Sequence, residues 1–412
     1  MSGVIPGAHS VFAQNWATVS APNGAWQAIA SSADGNKLVA VGNGGAIYRS
    51  VDAGGTWIAD GAPAGDWFWQ AIASSSDGTK LVVVASGGDR IYTSTNSGAT
   101  WTSTTAPLDD WAAVASSADG IKLVAVANDI LGEGGDGRIY TSPDSGATWI
   151  ASTAPMLHWI AIASSTDGNR LVAAAGSSRY DYSTGPIYTS VDAGATWNQS
   201  GAPTNFWRSV ASSADGSKLV AVSYDLIYTS TNSGATWTTN GAPDVSWQAV
   251  ASSADGSTLV AVAADNPGNF AGGTLVYTST DSGATWISNS APSTEEWHGV
   301  ASSADGRKLV AVAYLGTIYT STTNPASVWT ATSAPNTNWV AVASAADGSK
   351  VVAAVAGTSA GRSQSGGPCR SGGTGVCGAH RQAILGARQN LAFPRNSGPE
   401  GVNSAVSVVP RR

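Results

Sequence analysis

Chemistry in this chain would have to come from a few side chains that stand in its least regular segments. The carboxylates are Asp110, Glu133 and Glu296, and the cations are Arg138, Arg179 and Arg208. His158, His298, Tyr180, Tyr182, Trp67, Phe68 and Phe206 complete the set of candidate ligand-binding residues. Two carboxylates flanking one bond are what glycoside hydrolysis needs. Asp110 with Glu296 is one such pair on paper, and two ordinary solvated acids are the plainer reading. A guanidinium offers a planar fork to a carboxylate. Aromatic rings mixed with Asp and Asn suit a sugar or a polypeptide. The four histidines, His9, His158, His298 and His380, show no metal-ligand spacing. The run Gly132-Glu-Gly-Gly-Asp-Gly precedes a strand-like segment and not a helix, so it does not read as a phosphate cradle. Asp129, Glu133 and Asp136 lack the pattern of a helix–loop–helix calcium site. No catalytic residue, metal ligand or cofactor follows from these types and spacings.

The elements that must position these side chains are repeats. Asp-Gly recurs at Asp34, Asp77, Asp119, Asp167, Asp215, Asp255, Asp305 and Asp347, at intervals of 40 to 50 residues. Each copy sits in one longer unit of four short strands. Strand A is of the type Trp247-Gln-Ala-Val-Ala-Ser, and Asp-Gly then supplies the positive φ of a tight hairpin. Strand B resembles Leu259-Val-Ala-Val, and strand C, of the type Ile227-Tyr-Thr-Ser, alternates as a pleat requires. A glycine turn leads to strand D, for example Thr236-Trp-Thr-Thr, which Ala-Pro ends because proline cannot donate to a ladder. Four strands per unit, repeated around a ring, describe an all-β propeller.

Strand A begins at Trp26, Trp67 or Trp69, Trp111, Trp159, Trp207, Trp247, Trp297 and Trp339, which makes eight. Strand C appears seven times. The simplest closure is eight blades, with a D-like strand at Trp16 completing the last blade beside residues 339–357. Seven blades with a spare hairpin is the alternative. A buried tryptophan removes about 150–250 Å² from water, roughly 4–6 kcal/mol of gross transfer energy. Tryptophan packing between blades therefore outweighs surface ion pairs, each worth about 0–1 kcal/mol.

The turn between strands C and D reads Ser50-Val-Asp52-Ala-Gly54-Gly-Thr56-Trp57. Five further copies in register centre on Asn96, Asp144, Asp192, Asn232 and Asp281, and a seventh, Ser321 to Trp329, is eroded and carries Pro325. Over residues 16–357 the chain resembles the Asp-box family, the bacterial neuraminidase repeat. In the box the carboxylate or amide accepts turn N–H groups and glycine takes the left-handed position. Asn at two boxes keeps the hydrogen bonds and loses the charge, which fits a structural role for all six. The resemblance extends to sialidases, other glycoside hydrolases, sortilin-type receptors and photosystem II assembly factors. A sialidase would carry an arginine triad, a Tyr–Glu nucleophile pair and an Asp acid. Arg138, Arg179 and Arg208, with Tyr180 or Tyr182 beside Glu133, are the positions that could imitate them. The Arg-Ile-Pro motif near the start of sialidases is missing, and the ring holds only Glu133, Glu295 and Glu296.

Alternating strand directions put the A–B turns and the boxes on one face, nearly uniform from blade to blade. The B–C and D–A loops share the other face, which varies. Three enlarged B–C loops span 128–138, 176–186 and 264–274. Gln27, Gln70, Arg208, Gln248 and His298 each follow a strand-A tryptophan and should stand near the mouth of the central channel. Variable loops on a rigid scaffold are where binding usually lives. The sequence therefore favours a non-enzymatic scaffold that binds a glycan or a protein through the variable face. A glycoside hydrolase and a photosystem-type assembly factor are the alternatives.

Composition bounds the rest. The chain has 412 residues, 42% hydrophobic and only 11% charged, with 17 Trp, 49 Gly and 2 Cys. No run of 18 apolar residues marks a membrane helix, and a net charge of −7 argues against nucleic acid. That sum hides a split: residues 1–357 carry 13 Lys+Arg against 26 Asp+Glu, whereas 358–412 carry seven Arg and one Glu. Residues 1–15 read as an irregular leader without a clear signal peptide, and a monomer is expected. The resemblance favours an extracellular or periplasmic setting. From Thr358 the repeat stops where a strand C is due, and a basic Gly/Ser/Arg-rich tail follows without Trp or Tyr. That tail, residues 358–412, reads as disordered, an out-of-frame or recently added extension. Val402 to Val409 is an alternative source of the missing strand. Cys369 and Cys377 are a weak signal for a disulfide and a weaker one for metal.

Overall fold

The computed structural model describes residues 25–45, 47–59, 63, 68–128, 137–176, 184–239, 241–263, 276–289, 296–314, 316–322 and 329–355. The strand expected at Trp16, the leader and the tail all lie outside them.

Seven of the eight units fold as a four-stranded antiparallel meander in the order A-B-C-D. There are seven such sheets among the described residues. The first comprises Ala25–Ser31, Leu38–Asn43, Ile47–Ser50 and Ile58–Ala59. Trp339–Ser344 and Val351–Val355 form a further two-stranded sheet. Each strand A contacts the strand A of the units before and after it, so these strands surround the axis. The chain is thus a β-propeller with seven complete four-stranded blades among the described residues. The two-stranded sheet touches strand A of blade 7 on one side and strand A of blade 1 on the other.

Two layers of local chemistry repeat from blade to blade. In seven of the eight A–B turns the serine two residues before aspartate donates to it, as Ser32 Oγ does to Asp34 Oδ1 at 2.6 Å; Ala345 stands in that place before Asp347. The same Oγ accepts the N–H just before strand B, from Lys37 at 3.0 Å. The residue between that serine and aspartate then reaches the next unit. Ala33 N–H donates to Ser76, Ser76 to Ala118, Ala118 to Thr166 and Thr166 to Ala214. The series continues through Ala254, Ala304 and Ala346 and returns to Ala33, at 2.6–2.8 Å throughout. A belt of eight backbone hydrogen bonds thereby joins the turns into one cycle.

At each junction one blade supplies the aromatic rings, beside aliphatic residues of its own, and the other supplies aliphatic residues. Trp69, Tyr92 and Trp101 of blade 2 pack on Ala28, Ala30, Val39, Val41 and Ile47 of blade 1. Within a blade the strand-A tryptophan meets the strand-C tyrosine edge to face, as Trp69 and Tyr92 do at 5.7 Å and 85°. Seven such pairs recur. This pairing resolves the ambiguity in blade 2: Trp69, fully buried, is the strand-A tryptophan. Strand D is shorter than the sequence implied. In blade 5 it is only Thr238–Thr239, so Trp237 precedes the ladder and caps the turn, its Nε1 donating to Gly234 O at 3.1 Å. Short outer strands limit the open edge that each blade presents.

Candidate functional site

The two faces of the ring are built differently. On the first, each box closes on itself and on the neighbouring A–B turn. Ser50 Oγ donates to Asp52 Oδ1 at 2.7 Å, and Gly54 N–H donates to Ser50 Oγ at 2.8 Å. Thr56 gives its N–H to Asp52 Oδ1 at 2.8 Å and its hydroxyl to Oδ2 at 2.7 Å. These donors hold the Asp52 carboxyl down at about 2, the Thr56 N–H first among them. Asn96 keeps the same frame: Oδ1 accepts from Ser94 Oγ and Thr100 N–H, and Nδ2 donates to Thr100 Oγ1. Ala53 N–H donates to Asn36 O, which ties the box to the A–B turn. The residue before the box glycine also lies in the left-handed region, with φ between 56° and 61° in all six boxes. The sequence had assigned that conformation to glycine alone.

On the second face the B–C and D–A loops meet. Isolated bridges pair Asp89 with Asp109, Gly137 with Leu157, Gly185 with Asn205 and Gly316 with Thr337. Asp110 is not a solvated acid. It is 4% exposed, and its Oδ1 accepts the Gly87 N–H at 3.0 Å. Nor is its strand beside the one that Glu296 opens. Asp110 precedes strand A of blade 3, which touches blades 2 and 4, whereas Glu296 opens strand A of blade 7, which touches blade 6 and the two-stranded sheet. Asp89, buried beside it, was not singled out in the sequence. Burial raises its carboxyl above the usual range, and Trp111 Nε1 donates to its carbonyl at 2.8 Å. These acids fasten loops together.

The residue after each strand-A tryptophan is a β-bulge. Register shifts set Gln27, Gln70, Ile160, Arg208, Gln248, His298 and Val340 outside the ladder, and a matching shift in blade 3 does the same for Ala112. Bulges re-aim side chains, and these eight stand on the strands that surround the axis, on the variable side. Their collar is polar from Arg208 through Gln248 and His298 and apolar at Ala112 and Ile160. The Arg208 guanidinium carbon lies 5.8 Å from the centre of the Tyr224 ring, a cation–π contact. Burial presses both Arg208 and His298 below their usual ranges.

Phe68 is 56% exposed at the start of strand A of blade 2, Arg138 is exposed, and His158 and Phe206 are half-buried. Trp67, Glu133, Arg179, Tyr180 and Tyr182 lie outside the described residues, and the Glu296 side chain is likewise not described. Among the described residues no group of three His, Cys, Asp or Glu could hold a metal, and no helix is long and apolar enough to cross a membrane.

No family model matches the sequence, and no curated protein matches it. Solved structures do. The C-terminal WD40 domain of Sif2 aligns with TM-score 0.61 at 12% identity, over 81% of this chain and 93% of that one. YCF48 from Cyanidioschyzon merolae aligns with TM-score 0.51 at 15% identity, over 73% and 96%. The GH74 enzyme of Niastella koreensis aligns with TM-score 0.43 at 16% identity, over 79% of this chain and 62% of that one. The chain thus spans about three fifths of the length of two GH74 enzymes it matches and two fifths of a third. At such identities the likeness is one of architecture, and it agrees with the sheets described above: the chain is a β-propeller.

Proposed function

We propose that this propeller is a non-enzymatic scaffold that binds a glycan or a protein partner through its B–C/D–A face. The observation that supports it is the contrast between the faces. One spends its serines, aspartates and threonines on identical turn networks, while the other places different side chains on equivalent backbone. Two described carboxylates there are already engaged: Asp110 holds a loop N–H, and Asp225 accepts from Asn205 Nδ2 at 3.1 Å. In this reading the two-stranded sheet is the inner half of an eighth blade, completed by the strand around Trp16, and the ring acts as a monomer. The six boxes keep a structural role.

A glycan array combined with a fluorogenic glycosidase panel tests the proposal. Binding without turnover is expected. Turnover that is abolished by Glu133→Gln or Arg208→Gln would replace the scaffold with an enzyme of the glycoside hydrolase class.

A further inference from the structure

Seven of the eight A–B hairpins are followed by a strand C that covers strand B. In those seven blades the five residues from the strand-B leucine onward, such as Leu219–Ser223 in blade 5, are all buried. In the corresponding Val351–Val355 of the two-stranded sheet only Ala354 is buried. This strand pairs with Trp339–Ser344 on its inner side, and its outer edge has no partner among the described residues. The junction to blade 1 shows the same difference. At or just before the head of every described strand C stands an aliphatic residue at most 2% exposed, Ile in six blades and Val276 in blade 6. That residue packs on the rings of the next blade: Ile47 lies in one cluster with Trp69, Tyr92 and Trp101, and Ile139 with Trp159, Tyr188 and Trp197. Blade 1 turns the equivalent rings, Trp26, Tyr48 and Trp57, towards the two-stranded sheet, where they meet Ala341, Ala343 and Ala354 and, among the described residues, no strand-C aliphatic.

Residues 356–412 follow that edge in the chain, and one run among them has the chemistry of the strand it calls for. Residues 402–409 hold four valines, whereas 356–401 hold one. Branched side chains of this kind suit a pleated, half-buried surface. The run carries no charge, while five arginines lie between 356 and 401. An uncharged strand fits an edge set between aliphatic and aromatic neighbours on both sides. The stretch Val406-Ser-Val-Val409-Pro410 also repeats the frame of Ile139-Tyr-Thr-Ser142-Pro143, the strand C of blade 3 and the proline after it.

We propose that residues 402–409 of this chain dock on the outer edge of Val351–Val355 as strand C, with Val406 seated against Trp26, Tyr48 and Trp57. In blade 1 Val41 faces Ile47 and Leu38 faces Ser50, so in the same register Ala354 faces Val406 and Val351 faces Val409. An extended segment added to a sheet edge gains affinity from main-chain hydrogen bonds and specificity from alternate side chains. The long connection from strand B is no obstacle, because the cost of closing a loop grows only with the logarithm of its length. An edge left open is a template for pairing with other chains, and this strand closes it. The inference rests on the reading of an eighth blade and deepens it, since in the order A-B-C-D a strand D around Trp16 needs a strand C to pair with.

Amide hydrogen exchange at residues 351–355 tests it, read in the full chain, in a chain ended after Gly401 and in the variant Val406→Asp. The full chain should protect these amides. Both altered chains should exchange there about tenfold faster or more, with Leu219–Ser223 of blade 5 unchanged. A synthetic peptide of residues 402–412, added at millimolar concentration to the shortened chain, should restore the protection, and the same peptide carrying Val406→Asp should not. Equal exchange at 351–355 in the full and shortened chains overturns the inference. Where both are equally protected, another segment completes the blade, so the eighth-blade reading stands and this deeper one falls. Where both are equally open, the two fall together. Protection that disappears on dilution of the full chain assigns the edge to a second copy and also overturns the inference.

Discussion

Removing one strand-A tryptophan tests the packing that holds the variable face in place. Trp247 is fully buried and lies in one cluster with Val220, Val222 and Ile227 of blade 5. Its ring meets Tyr277 edge to face at 5.5 Å and 78°. Truncating a core tryptophan to alanine costs about 3–5 kcal/mol, and losing the edge-to-face pair accounts for about 0.5–1.5 kcal/mol of that. Domains of this kind have about 5–15 kcal/mol in all, so Trp247→Ala should remove a large fraction of the stability. The indole Nε1 of Trp247 has no hydrogen-bond partner among the described residues. Trp247→Phe therefore sacrifices volume only and should cost about 1–2 kcal/mol. Trp111→Phe should cost more, by about 1–3 kcal/mol, because it strands the Asp89 carbonyl that Nε1 reaches. Urea unfolding followed by tryptophan fluorescence and far-UV circular dichroism measures all three. A double-mutant cycle with Tyr277→Leu isolates the ring pair. A loss below about 1 kcal/mol for Trp247→Ala, or equal losses for the two phenylalanine variants, would refute the junction described here.

Further outcomes follow from the turns. Asp52, Asp77 and Asp215 have carboxyls lowered from 3.8 to about 2, so their contribution is present above pH 4 and is lost as pH falls towards 2. Thermal unfolding should show a steady Tm above pH 5 and a decline below pH 4, and a decline on the alkaline side alone would contradict this. Asp144→Asn should be near neutral, because Asn96 and Asn232 make the same contacts, whereas Asp144→Ala should cost about 1–2 kcal/mol by urea titration. Gly146→Ala should destabilise by about 1–3 kcal/mol, since φ is +90° and the new Cβ would meet Thr93 Cγ2 at 2.6 Å. A Thr93→Ser background should recover part of that loss.

The repeat was legible because its determinants are local. Asp-Gly and the box residues sit within a few positions of one another and fix turns whatever their surroundings. The serine two residues before seven of the eight Asp-Gly pairs was just as visible, yet its role appears only once Ser32 Oγ is seen to face both Asp34 and the Lys37 N–H. Strand D was overestimated because composition marks the box tryptophan as strand-like. The box tryptophan instead precedes the ladder, and in two blades its indole donates back to the turn, as Trp197 Nε1 does to Gly194 O. The burial of Asp110 could not be read either, since it depends on Gly87, 23 residues earlier, folding over it. Phe68 stood out in the sequence as an aromatic loop residue, and it is exposed at the start of strand A of blade 2.

The account depends on binding through the face where B–C and D–A connections meet. Amide hydrogen exchange of the full chain with and without a bound ligand measures this directly. Slowed exchange should fall on residues 104–110, 152–158 and 224–226, with the boxes unchanged. Protection centred on residues 50–57, 142–149 and 190–197 would place the ligand on the uniform face and contradict the account.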